Sequence, residues 1–278
     1  MANSSPRFVG VPQLTQAASN SPWLAQGARG HGVHLIQFAL IDLGFPMPGS
    51  TGGRGMSPDG IFGSETKRKV QEFQRSALGG DAVEDDGIVG TNTMAKLDRA
   101  IGGFTHQTTV TIHTARPSAI SVFEMEQLAR KIYAHYGIKF NTRWGRCMDL
   151  KEPHDTVLHT QGSSKADLKE AVTKGVGGTL TAIDTTVVQI ARMTPDDAYA
   201  VTDSDAAMAL VRLQDDAKVS TLAHEVGHVL LTPASGPDKE DHETQANNLM
   251  TTGDRVPPFV LTVEQVKEMR GHARCRNV

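Results

Sequence analysis

The chain has 278 residues, 38% of them hydrophobic and 21% charged, with a formal net charge of −3. That length holds one large domain or two modest ones, and the composition is ordinary for a globular protein. No run of like charge offers a nucleic-acid surface and no apolar stretch approaches bilayer length, so neither nucleic acid nor membrane is an expected partner.

Residues 1–26 are rich in Ser, Asn, Pro and Gln and read as an irregular leader. They lack the basic start and apolar stretch of a secretory signal, so work at a cell envelope or outside the cell would need another export route. A helical unit is expected over residues 27–102. Val33, Ile36, Leu40 and Leu43 recur at helical spacing, as do Val70, Phe73 and Ala77, and then Met94, Leu97 and Ile101. Three short amphipathic helices of this kind make a small bundle.

An internal echo joins these helices. Asp59-Gly60-Ile61-Phe62-Gly63 with Thr66 is matched by Asp86-Gly87-Ile88-Val89-Gly90 with Thr93. Asp-Gly makes a turn, the apolar pair enters the core, and the second Gly swings the chain into the next helix. Asp59 and Asp86 are therefore read as structural residues ahead of ligand contacts. With Leu35-Ile36-Gln37, Leu40, Gly44 and Phe73-Gln74, these turns make residues 27 to about 101 resemble the peptidoglycan-binding domain of the three-helix type. The stretch from Pro46 to Met56 lengthens the loop before the first turn. The resemblance implies peptidoglycan as a partner, with a propeptide role as the other option.

Beyond Gly102-Gly103 the pattern changes, and residues 103–278 are expected to form a second domain. Val110 and Ile112 alternate with Thr109, Thr111 and His113 as in a strand. Val122, Met125, Ala129, Ile132 and Tyr136 mark a helix ended by Gly137. Thr186 to Met193 reads as a strand, Asp216 to Leu231 as an apolar helix, and Thr262 with Gln265 as the capping box of a last helix facing Val266, Met269 and Ala273 inward. The polar stretch from Asp149 to Gly178 gives no assignment. Cys147 and Cys275, the only cysteines, suit a disulfide or two reduced thiols equally.

The chemistry concentrates in His224-Glu225-Val226-Gly227-His228. Positions four apart on a helix differ by only ~40° around its axis, so both imidazoles share a face and can hold one metal. Zn²⁺ suits neutral imidazoles, and three protein ligands would leave one position for water. Glu225, one step round, would take that water's proton and pass it to a leaving amine. The surrounding Val219, Leu222, Ala223, Val226, Val229 and Leu230 make a buried helix, where Gly227 has no evident packing role. A merely structural histidine pair is the bland alternative. His31 with His34, and His154 with His159, read as surface histidines ahead of a second metal site.

The same motif, with Met250 in Asn248-Leu249-Met250 and the last helix from Thr262 to Ala273, resembles the metzincin clan of zinc peptidases. That clan continues its motif to a Gly and a third His, where this chain has Leu231 and Ala234. His242 is the expected replacement ligand and Glu243 the alternative. The whole reads as an α+β protein: a three-helix bundle module followed by a zincin-like α+β catalytic domain. The resemblances imply a zinc metallopeptidase at the bacterial cell wall that cuts peptide bonds of proteins. Hydrolysis of peptidoglycan peptide stems is the alternative, and a wall-binding protein with a structural zinc site the third.

Overall fold

The computed structural model describes residues 3–52, 57–77, 85–114, 122–147, 156–158, 170, 172–174, 184–190, 192–194, 200–203, 208–212, 218–231, 245–251 and 255–278. The chain divides into two compact units. The first comprises Met1–Phe104 with His135–Gly137 and Val260–Val266, and the second Thr105–Ala134, Ile138–Phe259 and Lys267–Val278.

The first unit is helical: α1 (Pro12–Ala17), α2 (His31–Asp42), α3 (Ser64–Arg75) and α4 (Thr91–Ile101). The last three are those that the apolar spacing predicts. Val33, Ile36, Leu40, Val70, Phe73, Met94 and Leu97 share one core, whereas Ala77 lies past the end of α3 and is exposed. The leader is not irregular. Phe8, Val11, Leu14, Ala17 and Leu24 enter the same core, and Pro at the start of α1 suits a position whose N–H needs no helical partner. Burial of these side chains outweighs the turn-forming composition around them.

The internal echo is repeated atom for atom. Gln37 Nε2 donates to Asp59 Oδ1, the Ile61 carbonyl and Thr66 Oγ1, while its Oε1 accepts from Gly60 N–H. Gln74 Nε2 donates to Asp86 Oδ1, the Ile88 carbonyl and Thr93 Oγ1, and its Oε1 accepts from Gly87 N–H. Each buried amide thereby satisfies a turn that would otherwise leave polar groups unpaired. Asp59 and Asp86 also accept the N–H two residues on, so their structural reading stands. Short bridges then tie each turn to the leader side, Arg29 with Ile61 and Leu24 with Val89.

His34 is buried within α2, not on the surface. Its Nδ1 donates to the Pro58 carbonyl at 3.0 Å and its Nε2 faces Tyr136 Oη at 3.3 Å. The Tyr136 hydroxyl oxygen accepts the Leu261 N–H, which leaves its proton for the His34 ring. Both ring nitrogens are thus used within the protein, and among the described residues no second metal site forms there.

The second unit is a sheet with helices. Its strands are β1 (His106–Thr114), β2 (Ile138–Cys147), β3 (Thr156–Leu158), β4 (Thr185–Ile190), β5 (Arg192–Thr194), β6 (Ala200–Asp203), β7 (Met208–Arg212) and β8 (Cys275–Asn277). The main sheet runs β2-β1-β4-β7-β6, parallel except for β6, which lies antiparallel to β7. Strand β8 joins β1 antiparallel beside its first residues, where β4 has not yet begun. The segment expected as one strand from Thr186 to Met193 is two, because β4 stays in the main sheet while β5 pairs with β3. Its helices are α5 (Val122–Ala134) and α6 (Thr221–Leu231); a last helix, α7 (Val263–Gly271), has its first residues, to Val266, in the first unit and the rest in the second. The protein is α+β, as its sequence implies.

The capping box opens α7 as expected: Gln265 N–H donates to Thr262 Oγ1, and Thr262 N–H to Gln265 Oε1. Val266 and Met269 are buried, but Ala273 lies beyond the helix and is exposed. Both cysteines are free thiols. Cys275 sits opposite Thr108 and Cys147 opposite Thr114, six residues along β1, or ~20 Å, far beyond disulfide reach.

Candidate metal centre

Helix α6 carries the histidine pair. It begins later than the expected Asp216, since Val219 and Ser220 form the preceding turn and Val219 is exposed. From there Leu222, Ala223, Val226, Val229 and Leu230 are all buried, as are His224 and Glu225 at 5% and 6% exposure. A helix apolar on nearly every side belongs in a core, so its polar side chains are held there for a reason other than solubility. Tyr133 on α5 fixes its position, donating its hydroxyl to the Ala223 carbonyl at 2.9 Å. Burial pushes that hydroxyl's pKa upward and keeps it a donor.

The two imidazoles cross at 84° with centroids 4.5 Å apart, and their Nε2 atoms approach to 3.1 Å. His224 Nδ1 lies 2.8 Å from the Leu249 carbonyl. A carbonyl only accepts, so the proton sits on Nδ1 and Nε2 presents a lone pair. Two nitrogens bound to one zinc at ~2.0–2.1 Å and a tetrahedral angle stand about 3.3 Å apart. The observed pair fits that requirement, and the carbonyl behind His224 is the kind of support that metal-bound histidines have. Glu225 Oε1 is 3.9 Å from His224 Nε2, too far for a hydrogen bond.

Below the helix runs the segment with Met250. Asn248 Oδ1 accepts the Met250 N–H at 2.8 Å, a tight turn of the type Asn favours, and Leu249 and Met250 are buried. Gly227 now has its packing reason. A β-carbon there would stand 2.5 Å from Met250 Sδ and 3.2 Å from its Cε. The missing side chain lets the turn press against the helix at the level of the histidines.

Arg255 was not foreseen. Its Nε donates to Ser220 Oγ at 3.3 Å and its Nη1 to the Thr251 carbonyl at 3.1 Å, joining the start of α6 to the end of the Met250 turn. Burial lowers its pKa, and attraction to the Glu225 carboxylate opposes that shift. An isolated Arg before a Pro pair has no periodic pattern from which such a role could be read. His242, Glu243, Asp238, Asp241, His154 and His159 lie outside the described residues. Among the described residues no group of three or more His, Cys, Asp and Glu converges as a complete metal site, and no helix is long and apolar enough to cross a membrane.

Residues 29–97 match the family of peptidoglycan binding domains. No curated protein matches the chain in sequence. Solved structures similar to it include archaemetzincin from Methanopyrus kandleri, at 12% identity and TM-score 0.34 over 58% of this chain and 86% of that one. Metalloproteinase-II from Bacteroides fragilis is similar at 13% identity and TM-score 0.42, over 60% of this chain and 52% of that one. A zinc-dependent peptidase from Methanocorpusculum labreanum is similar at 12% identity and TM-score 0.31, over 57% and 92% respectively.

Proposed function

We propose that the protein is a zinc-dependent metallopeptidase, hydrolysing peptide bonds of proteins, that its N-terminal unit brings to peptidoglycan. The observation that carries the reading is the pair of His224 and His228 Nε2 atoms, 3.1 Å apart, with the His224 proton held on Nδ1 by Leu249. His224, His228 and, as the expected third ligand, His242 would hold the zinc. Zinc, when bound, supplies a Lewis acid that polarises a scissile carbonyl and acidifies a water.

The rest falls to this chain's own groups. Glu225, buried and 3.9 Å from His224 Nε2, holds a proton at its carboxylate and hands it to the departing amine. Arg255, attracted to that carboxylate, joins the start of the helix to the Met250 turn beside it. A purely structural zinc would need no carboxylate kept in so dry a place, which argues against the binding-protein reading. Cleavage of peptidoglycan stems is the second reading, favoured by the family match over residues 29–97.

One experiment tests the proposal. The purified protein, reconstituted with zinc, should hold about one ion and hydrolyse casein or release stem peptides from sacculi. Glu225→Ala should keep the zinc and the fold while losing hydrolysis. A wild type without zinc, or an active Glu225→Ala, would end the reading; the choice between casein and sacculi decides the substrate.

A further inference from the structure

His224 is supported at two points that belong to separate stretches of the chain. Its N–H donates to the Ser220 carbonyl at 3.0 Å, which seats it in the first turn of α6, and its ring Nδ1 donates to the Leu249 carbonyl at 2.8 Å. The first contact fixes where the residue leaves the helix, and the second fixes how its ring is turned. A lone pair aimed at a metal needs both at once.

The two supports are themselves joined through one side chain. Arg255 Nε donates to Ser220 Oγ and its Nη1 to the Thr251 carbonyl. From Thr251 the path runs back to the ring. The Thr251 N–H donates to the Asn248 carbonyl at 3.2 Å, Asn248 Oδ1 accepts the Met250 N–H, and Leu249 between them carries the carbonyl that holds His224. Hydrogen bonds and short pieces of chain thus form a closed circuit that leaves His224 through its backbone and returns through its imidazole. The same turn places Arg255, because the next residue, Val256, donates its N–H to the Ala246 carbonyl at 3.0 Å.

An arginine suits that span. Its guanidinium is planar and its N–H groups point outward in fixed directions, so two acceptors are held at a set separation. Both acceptors are neutral oxygens, and bonds to them from a charged donor are stronger than those from a neutral one. Partial burial of the cation is a cost, offset in part by attraction to Glu225.

We propose that Arg255 is a positioning residue for the metal centre: by holding the start of α6 to the end of the Met250 turn, it keeps the Leu249 carbonyl on His224 Nδ1 and so sets the zinc affinity. The inference rests on the reading of His224 and His228 as zinc ligands, and it adds a residue outside their motif on which their grip depends.

The test reads zinc binding by the full-length protein and needs no substrate. Wild type, Arg255→Ala, Arg255→Lys and Ser220→Ala are compared by competition with a chromogenic zinc chelator, under conditions where circular dichroism shows each to be folded. Arg255→Ala should lose about tenfold in zinc affinity, the low end of what disturbing a ligand's support costs. Arg255→Lys, a point charge that reaches one acceptor, should recover part of that loss. Ser220→Ala removes one acceptor and leaves the arginine, and it should weaken zinc binding as well. In that background Arg255→Ala should cost less than it does alone, because both changes open the same circuit. The visible absorption of the cobalt-loaded protein should also shift in Arg255→Ala, which a contribution to stability alone would not produce. A folded Arg255→Ala with wild-type zinc affinity and cobalt spectrum would overturn the inference. Should that variant fail to fold, wild-type affinity in Ser220→Ala overturns it equally. Either result leaves the zinc reading intact, whereas wild type that binds no zinc ends that reading and this inference with it.

Discussion

Replacing Gly227 by Ala places a single methyl group between the histidine helix and the turn below it. In an exposed helix the change would stabilise by ~1 kcal/mol, because Ala is the better helix former. Here the new carbon would lie 2.5 Å from Met250 Sδ and 3.6 Å from Met269 Cε, and both methionines are fully buried. Relieving such an overlap in a packed core costs ~1–3 kcal/mol, so the net effect is a loss of roughly 0–2 kcal/mol. The displaced turn also carries the Leu249 carbonyl that orients His224. Zinc affinity should therefore fall by roughly ten- to a hundredfold, the usual cost of disturbing a ligand's support. Chemical denaturation and competition with a chromogenic zinc chelator measure the two quantities. A double-mutant cycle isolates the cause: in a Met250→Ala background, Gly227→Ala should become neutral or stabilising by up to ~1 kcal/mol, since only helix propensity remains. Should Gly227→Ala stabilise the wild type and leave zinc affinity unchanged, the packing argument is refuted.

His242→Ala should weaken zinc binding by orders of magnitude, while Glu243→Ala should leave it within roughly tenfold; the reverse ranking in a chelator competition would assign the third ligand to Glu243. Gln37→Ala and Gln74→Ala should each destabilise the first unit by about 2–4 kcal/mol, because each strands the same set of buried turn groups. Unequal costs in urea unfolding would show that the two copies are alike in shape only. The His34 pKa is held down to about 4, from 6.5, first by burial and further by His135, with Asp59 and the Pro58 hydrogen bond opposing. A neutral imidazole is what the fold accommodates, so this stability is complete above pH 6.5 and is lost as pH falls toward 4, about 3 kcal/mol in all. His34→Gln should flatten that pH profile, and an NMR titration of the ring centred near 6.5 would contradict it.

Legibility from sequence followed the kind of signal each part emits. Helices α2 to α4, the strand at Val110 and Ile112, and the Thr262 box all state themselves within a dozen residues, and the structure has them. The leader was obscured by its composition, although Phe8, Val11, Leu14 and Ala17 already stand at the three-residue spacing that buries one helix face. Strands β2 and β8, and β7 where it meets β4, are held by partners distant in the chain, and nothing local announces such pairing. At the centre, the histidine pair was plain because four-residue spacing on a helix is geometry in itself. The packing need of Gly227 and the place of Arg255 depend on a turn some twenty residues away and emerge only in three dimensions.

The two copies of the glutamine-held turn share a helix: Thr66, near the start of α3, closes the first, and Gln74, near its end, opens the second. They are therefore interlocked instead of placed side by side, and neither can be cut out as a block. A protease nick in either turn would release the amide that pins α3 and so loosen the other turn as well. Loss of order in this unit should thus run through one all-or-none transition, with no stable half-module surviving as an intermediate. The same linkage gives a rule for growth: each helix added in this manner needs only one more turn of the same kind, so the scheme is open-ended in the way of helical arrays.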